Sequence, residues 1–278
     1  MIFLFFRQMV VFVFMQKICI NFLLRIFFRT FVNNIEFTFM ATAYFDFKQF
    51  RIFHDHSTMK VGTDSVLLGS WASVDAAKNI LDIGTGCGLI ALMVAQRNPQ
   101  SQVVGVELDA ESSIQAESNV QASPFSERID IVQADVRDWQ PEQTFDVVLS
   151  NPPFFEEDLL PPKASRAKAR HTQAGGLTLK ELVVNARRLI NGNGIFAVVL
   201  PSSISRSFEE LCEQQGLFLR RKTEVVTAPG KSPKRSLLEF SFDDVEEYSF
   251  NQIILTDNLG QRSADYNELT KDFYLDKN

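Results

Sequence analysis

The sequence predicts an α/β fold, a single open sheet with helices packed on both faces. Short apolar runs recur along the chain, each stopping at glycine, proline, asparagine or an acidic residue, as buried strands do. One of these runs passes through a glycine-rich turn directly into a helical period. Another, Asp146-Val147-Val148-Leu149-Ser150, runs into Asn151-Pro152-Pro153-Phe154. In an open α/β sheet the carboxyl ends of such strands are where ligands bind.

A chain of 278 residues can bury one large core, or one core with an appendage. The net charge of -6 excludes a generally basic coat, so any contact with an acidic partner is local. Cys19, Cys87 and Cys212 lie far apart and form no metal-type pair, which suits a reducing cytosol.

The first 39 residues differ in composition from the rest. They hold 11 of the 26 phenylalanines, with no Gly, Pro or Ala and a single acidic residue, Glu36. The run Met9 to Met15 is too short to cross a bilayer, and no small-residue cleavage site follows. We read 1–39 as an upstream stretch translated from a misplaced start, with the working domain at 40–278. The competing reading is a cationic amphipathic helix lying on a membrane surface. Without this leader the body carries -9.

From Phe45 to Phe53 the residues alternate like a short half-exposed strand. His54-Asp55-His56 could begin a metal site but lacks a third ligand nearby, so it reads as a polar turn and no metal is expected. Met59 to Asp64 leads into a helix over Ser65 to Trp71, with Thr63 or Asp64 as the cap. Such a loop can fold over a ligand or simply enter the helix.

Asn79 to Ile83 reads as a strand, Gly84-Thr85-Gly86-Cys87-Gly88 as a tight turn, and Leu89 to Arg97 as a helix. The glycines let a ligand approach the backbone closely. A second strand, Gln102 to Val106, ends in Glu107, 19 residues past Gly88, where a carboxylate can accept from two ribose hydroxyls. The spacing G-x-G-x-G differs from a dinucleotide fingerprint. Asp82 just before the loop would repel a pyrophosphate and suits a cationic amino-acid ligand. A third strand, Ile129 to Gln133, leads to Asp135, an acceptor for an adenine amine. Ribose acceptor, adenine acceptor and loop carboxylate together describe S-adenosylmethionine.

Asn151 to Phe154 would then take the methyl acceptor. An exocyclic amine on a heterocycle is a poor nucleophile because its lone pair is delocalised into the ring. Two acceptors, the Asn151 side-chain oxygen and the Pro152 carbonyl, can draw that pair out of plane, with the prolines restricting the backbone. Phe154 offers a face for the flat base. A strand ending in a rigid turn is the plainer alternative for these residues.

Lys163, Arg166, Lys168, Arg170 and His171 follow within nine residues, a run suited to a phosphate backbone or to a solvated loop. A helix over Leu177 to Ile190, a turn at 191–194, a strand over Ile195 to Leu200 and a helix from Ser205 to Gln215 come next. Leu217 to Val226 and Arg235 to Phe242 alternate as an antiparallel pair. The turn joining them, Ala228 to Arg235, is also basic, and could meet nucleic acid or be a mobile loop. Phe250 to Leu255 adds a strand and Tyr266 to Leu275 a docking helix.

Leu81-Asp82-Ile83-Gly84-Thr85-Gly86-Cys87-Gly88, with Glu107, Asp135 and Asn151-Pro152-Pro153-Phe154, resembles the class I S-adenosylmethionine-dependent methyltransferases that act on amino groups. Met59 to Trp71 and the ending Leu269-Thr270-Lys271-Asp272-Phe273-Tyr274-Leu275 resemble the bacterial tRNA1(Val) adenine-N6 methyltransferases, which methylate the adenosine beside the anticodon. The resemblance covers Met40 to the C-terminus. It implies a Rossmann-like seven-stranded sheet of order 3-2-1-4-5-7-6 and a cytoplasmic enzyme. It also implies that Asp82, Gly84 and Gly86 hold the methionine end of the cofactor, Glu107 its ribose and Asp135 its adenine. Lys60 to Asp64, including Thr63, would cover the cofactor, and Asn151 to Phe154 would hold a flipped base. Related enzymes with Asn-Pro-Pro act on protein glutamine, ribosomal-RNA guanine or DNA adenine, and a catalytically idle S-adenosylmethionine-binding module is the non-enzymatic alternative. No stable protein partner or membrane is expected.

Overall fold

The computed structural model describes residues 44–54, 61–153 and 176–275. The leader 1–39, Lys60, Phe154 and the basic run from Lys163 to His171 lie outside the described residues.

The sheet has eight strands: β3 (Asn79–Ile83), β4 (Gln102–Glu107), β5 (Ile129–Gln133), β6 (Phe145–Ser150), β7 (Ile190–Pro201), β8 (Phe218–Val226), β9 (Arg235–Ser241) and β10 (Ser249–Ile254). Their spatial order is β10-β8-β9-β7-β6-β3-β4-β5. The seven expected strands lie in the expected order, and β10 adds an eighth by pairing parallel to β8 at the edge. Only β9 runs against its neighbours, closing the antiparallel hairpin with β8. A separate small hairpin joins β1 (Tyr44–Asp46) to β2 (Arg51–Phe53).

The central strands are buried on both faces, so successive residues feed opposite cores. Val147 and Leu149 of β6 face one cluster and Val148 the other; Ala197 and Val199 of β7 alternate in the same way with Phe196, Val198 and Leu200. The first cluster is covered by α1 (Thr63–Trp71) and α2 (Leu89–Arg97), by the small hairpin, and by Tyr266 of α6 (Ala264–Thr270). Residues 66–71 of α1 are all buried, as in a helix that is apolar on every side. The second cluster is covered by α4 (Leu179–Leu189) and α5 (Ser205–Glu213). A capping box closes the start of α4, with Thr178 and Glu181 satisfying each other's backbone amides.

Three local expectations change, and one helix was not foreseen. The segment from Phe45 to Phe53 is a hairpin and not one strand: Phe47 and Phe50 are both buried and their rings stack at 4.8 Å, which a spacing of three forbids on one extended strand. Neither Thr63 nor Asp64 caps α1; the cap position is Gly62, and Asp64 instead accepts from Arg235 Nε at 2.6 Å. The turn expected at 191–194 is absorbed into β7, where a register shift lets Asn191 Nδ2 donate to Asp146 Oδ1. A helix unassigned from sequence, α3 (Ala110–Gln121), joins β4 to β5. Its buried side includes Ser112, Ser113, Gln115 and Asn119 while Ile114 is exposed, so it carries no apolar period to read.

Candidate active site

Parallel register lines up four strand ends. Ile83 of β3 pairs with Ser150 of β6 and with Val106 of β4, and Glu107 of β4 pairs with Gln133 of β5. The next residues therefore form a row across the carboxyl edge: Asp135 beyond β5, Glu107, the Gly84 loop, and Asn151. Neighbouring ends are about 4.8 Å apart. The chain leaves β3 for β4 and β5 on one side and returns with β6 on the other, so Gly84 and Asn151 flank the topological switch point.

The glycine loop is folded inward on its own donors. Gly84 N and Thr85 N donate to Val106 O at 2.9 and 3.1 Å, and Gly86 N donates to Glu107 Oε2 at 2.9 Å. These amides are therefore not collected for an anion, as they are in a phosphate-binding loop. Gly84 and Gly86 adopt φ of 70° and 58°, where side chains are strained, and a Cβ on Gly84 would project into open space. That bare backbone is a place where a ligand can lie against the loop.

Asp82 is wholly buried beneath this loop. Thr85 Oγ1 donates to its Oδ2 at 2.6 Å, while Oδ1 is buried with no hydrogen-bond partner. Burial pushes its pKa up to about 7, against the opposing Thr85 bond; the nearby Glu107 carboxylate raises it further, and the Ala91 amide of α2 lowers it without closing a hydrogen bond. Such a group accepts a proton, or a cation in its place. Glu107 also takes Asp109 N on Oε1 at 2.9 Å, which fixes its carboxylate at the strand end while leaving each oxygen a further lone pair.

Asn151 is buried at the end of β6. Its Nδ2 donates to Ser65 Oγ in the first turn of α1 at 2.8 Å, and its Oδ1 is buried without a partner. Pro152 behind it is buried and Pro153 is exposed. Serine at this helix position gave no signal in the sequence, because only the packing of α1 over the sheet edge brings it to β6.

Asp135 sits where expected but is already engaged: Arg137 Nε donates to both its oxygens, at 2.9 and 3.0 Å, and holds its pKa below the usual carboxylate range. Thr63 is the exposed first residue of α1. Asn119 of α3, overlooked in the sequence, donates to Phe53 O and Cys87 O and accepts from Phe53 N, tying the small hairpin to the glycine loop. Among the described residues no group of three potential ligands could hold a metal ion.

A strand-end glycine loop beside a buried, half-satisfied Asn-Pro-Pro amide can serve methyl transfer, and the comparisons with known proteins give the family. The methyltransferase small domain matches residues 55–214. The chain belongs to this family. A protein from Bacteroides thetaiotaomicron named tRNA1(Val) (adenine(37)-N6)-methyltransferase is 42% identical over 238 residues, covering 85% of this chain and 99% of the relative. One of the same name from Enterobacter sp. (strain 638) is 43% identical over 234 residues, covering 83% of this chain and 94% of the relative. The crystal structure of a predicted O-methyltransferase from Agrobacterium tumefaciens shares the fold at a TM-score of 0.60 and 20% identity, covering 78% of this chain and 100% of that one. The methyl donor of this methyltransferase is S-adenosylmethionine, and the site fits it: a bare loop at Gly84, an unpartnered buried carboxylate oxygen on Asp82, and an oriented carboxylate on Glu107. Among the described residues no helix is long and apolar enough to cross a membrane.

Proposed function

We propose that this methyltransferase modifies N6 of an adenine in tRNA, adenosine 37 of tRNA1(Val), in the cytoplasm. The observation that carries the reading is the Asn151 amide. With Nδ2 turned back to Ser65, the unpartnered Oδ1 is the atom left to accept from an incoming amine. An amine that donates to Oδ1 and to the Pro152 carbonyl has its lone pair tilted out of the ring plane and toward the donor. Accepting groups fixed in advance act where charge develops on the nitrogen, and require no reorganisation during the reaction. S-adenosylmethionine held by the glycine loop would supply an electrophilic methyl: the nitrogen would form the new N–CH3 bond as the S–CH3 bond breaks, and the neutral thioether, S-adenosylhomocysteine, would leave with the sulfur lone pair. The proton then released is shared by the same acceptors and passes to water, so no strong base is required.

Asp82, Gly84 and Gly86 hold the cationic amino-acid end of the cofactor in this reading. Glu107 accepts from the ribose hydroxyls through its remaining lone pairs, and Asp135 meets the adenine from within its Arg137 bridge. Lys60 and Thr63 belong to the arm over the cofactor. Pro153 stiffens the turn, Phe154 stacks the flipped base, and Lys163, Arg166, Lys168, Arg170 and His171 meet the phosphates beside it. The names and high coverage of the relatives support the tRNA substrate.

The test is to incubate the protein with labelled cofactor and, separately, total tRNA, total protein and DNA, then digest the labelled fraction. Label recovered as N6-methyladenosine from tRNA is the expected result. Label in protein glutamine, in DNA, or in no fraction overturns the proposal.

A further inference from the structure

We propose that the turn between β8 and β9, residues 227–234, is a second contact surface for the phosphate backbone of the RNA substrate, with Lys231 and Lys234 as its contacts. This rests on the nucleic-acid reading of the Asn151 site.

Topology places the turn beside the chemistry. β7 runs parallel to β6, and β9 runs antiparallel to β7 with Arg235 opposite Pro201. Arg235 also pairs with Val225 of β8, so the whole turn lies at the carboxyl edge that carries Asn151 and the glycine loop. Across the sheet, β9 lies two strand spacings from β6, about 10 Å, and β8 one spacing further, about 15 Å, and because Ser150 pairs with Val198 while Arg235 pairs with Pro201 the turn also rises about three residues, roughly 10 Å, above the end of β6. A chain whose target base sits at Asn151 brings its flanking phosphates over that edge.

The turn is built to hold its shape. Lys231 N donates to Ala228 O at 3.2 Å, Lys234 N to Val225 O at 2.8 Å, and Lys234 O accepts from Ser202 N at 3.2 Å. Gly230 provides the left-handed bend, at φ 74°. The bridge from Arg235 to Asp64 ties the base of the turn to α1, whose next residue, Ser65, orients the Asn151 amide. Turn and catalytic amide are thus fixed to the same helix end.

The charge of the two lysines is left uncompensated at the carboxyl edge. Among the described residues many basic side chains are engaged by carboxylates of the protein itself, as Arg97 is by Asp75, Arg137 by Asp135, Arg206 by Glu210, Arg221 by Glu239 and Lys222 by Glu209. Lys231 and Lys234 are exposed, and among the described residues neither ammonium is paired. The turn contains no acid; of the nearby carboxylates Asp64 is taken by Arg235 and Asp257 by the amides of Leu259 and Gln261, while Glu224, two residues short of the end of β8, forms no ion pair with either lysine. Two unpaired lysines on a rigid turn at the site's rim are chemistry for phosphates and not for bases, so they add affinity without sequence preference.

The experiment measures tRNA affinity against salt for the full chain, for Lys231→Gln/Lys234→Gln, for Lys231→Arg/Lys234→Arg, and for Lys78→Gln, an exposed lysine just before β3 at the opposite edge of the sheet. Each lost phosphate contact flattens the log–log slope by roughly 0.7–0.9, so the double glutamine variant should lose roughly 1.4–1.8. Its KM for tRNA should rise while kcat at saturating tRNA and calorimetric cofactor affinity stay at the wild-type values. The arginine pair and Lys78→Gln should retain the wild-type slope. An unchanged slope in the glutamine variant, or an equal change in Lys78→Gln, overturns the proposal while wild-type methylation of tRNA leaves the parent reading standing. A wild-type protein that neither binds nor methylates tRNA overturns both.

Discussion

The side-chain amide of Asn151 donates to the hydroxyl of Ser65, 86 residues earlier in the chain, across 2.8 Å. This bond holds the NH2 end of the amide away from the site and leaves Oδ1 as an unpartnered buried acceptor. Removing the hydroxyl lets the amide turn over and present a donor to an amine that needs an acceptor. Ser65→Ala should lower kcat about fivefold to tenfold, the worth of one neutral hydrogen bond of about 1–1.5 kcal/mol, with KM for the cofactor unchanged. Ser65→Thr keeps the hydroxyl and should restore the rate. Equal rates for wild type and Ser65→Ala in single-turnover methylation would refute the role.

Asn151→Ala removes the acceptor itself. Turnover should fall by roughly 10²–10³, the range for one preorganised group at a developing charge. Cofactor affinity should hold if, as proposed, the amide accepts from the target base and not from the cofactor. A parallel fall in both quantities by calorimetry and kinetics would make Asn151 a cofactor residue.

Glu107→Ala removes the carboxylate that accepts from Gly86 N and, in the proposed reading, from the ribose. Cofactor affinity should drop at least about tenfold, since hydrogen bonds to charged groups contribute about 1.5–3 kcal/mol. The strand end lies outside the core, so the thermal midpoint should move little. Calorimetric titration with S-adenosylmethionine decides it, and an unaltered Kd removes Glu107 from the site.

Asp82 couples binding to pH. Its folded-state pKa, raised to about 7, lies above the usual carboxylate value of about 3.9. The stability linked to its protonation is therefore complete below about pH 3.9 and is lost as pH rises through about 7. A cationic ligand end next to it favours the charged form, so cofactor binding at pH 6 should expel a proton. Calorimetry in buffers of different ionisation heat reads this directly. Asp82→Asn should bind without proton release; the same release from both proteins would locate the titrating group elsewhere.

Glu239 is a structural counterpart. Its carboxylate, 1% exposed, accepts from Arg221 Nε and a second guanidinium nitrogen, both at 2.9 Å, and from Ser73 N at 2.7 Å. Arg221 also stacks on Trp71 at 3.8 Å. Glu239→Ala leaves these donors unpaired under α1 and should cost roughly 3 kcal/mol, the low end for one half of a buried pair because Arg221 is partly exposed. Urea unfolding checks it; a loss below about 1 kcal/mol would mean solvent replaces the carboxylate.

The sequence by itself determined the strands of the large sheet and the positions of Asp82, Gly84, Glu107, Asp135 and Asn151, because each rests on local grammar; the order of the strands followed from the family resemblance. A buried strand shows as an apolar run, a tight turn as glycines, and a strand end as the polar residue that stops it. What depended on distant partners was silent. Helix α3 buries serine, glutamine and asparagine, so no hydrophobic period announced it. Phe47 and Phe50 looked like one strand until their shared burial required a hairpin. The tertiary structure alone decided that Ser65 orients Asn151, that Arg137 holds Asp135, and that Arg235 anchors the second basic turn to Asp64. A hydrogen bond depends on ångström placement of two side chains, and for residues as far apart as Asp64 and Arg235 only the packing of α1 against the sheet edge supplies it.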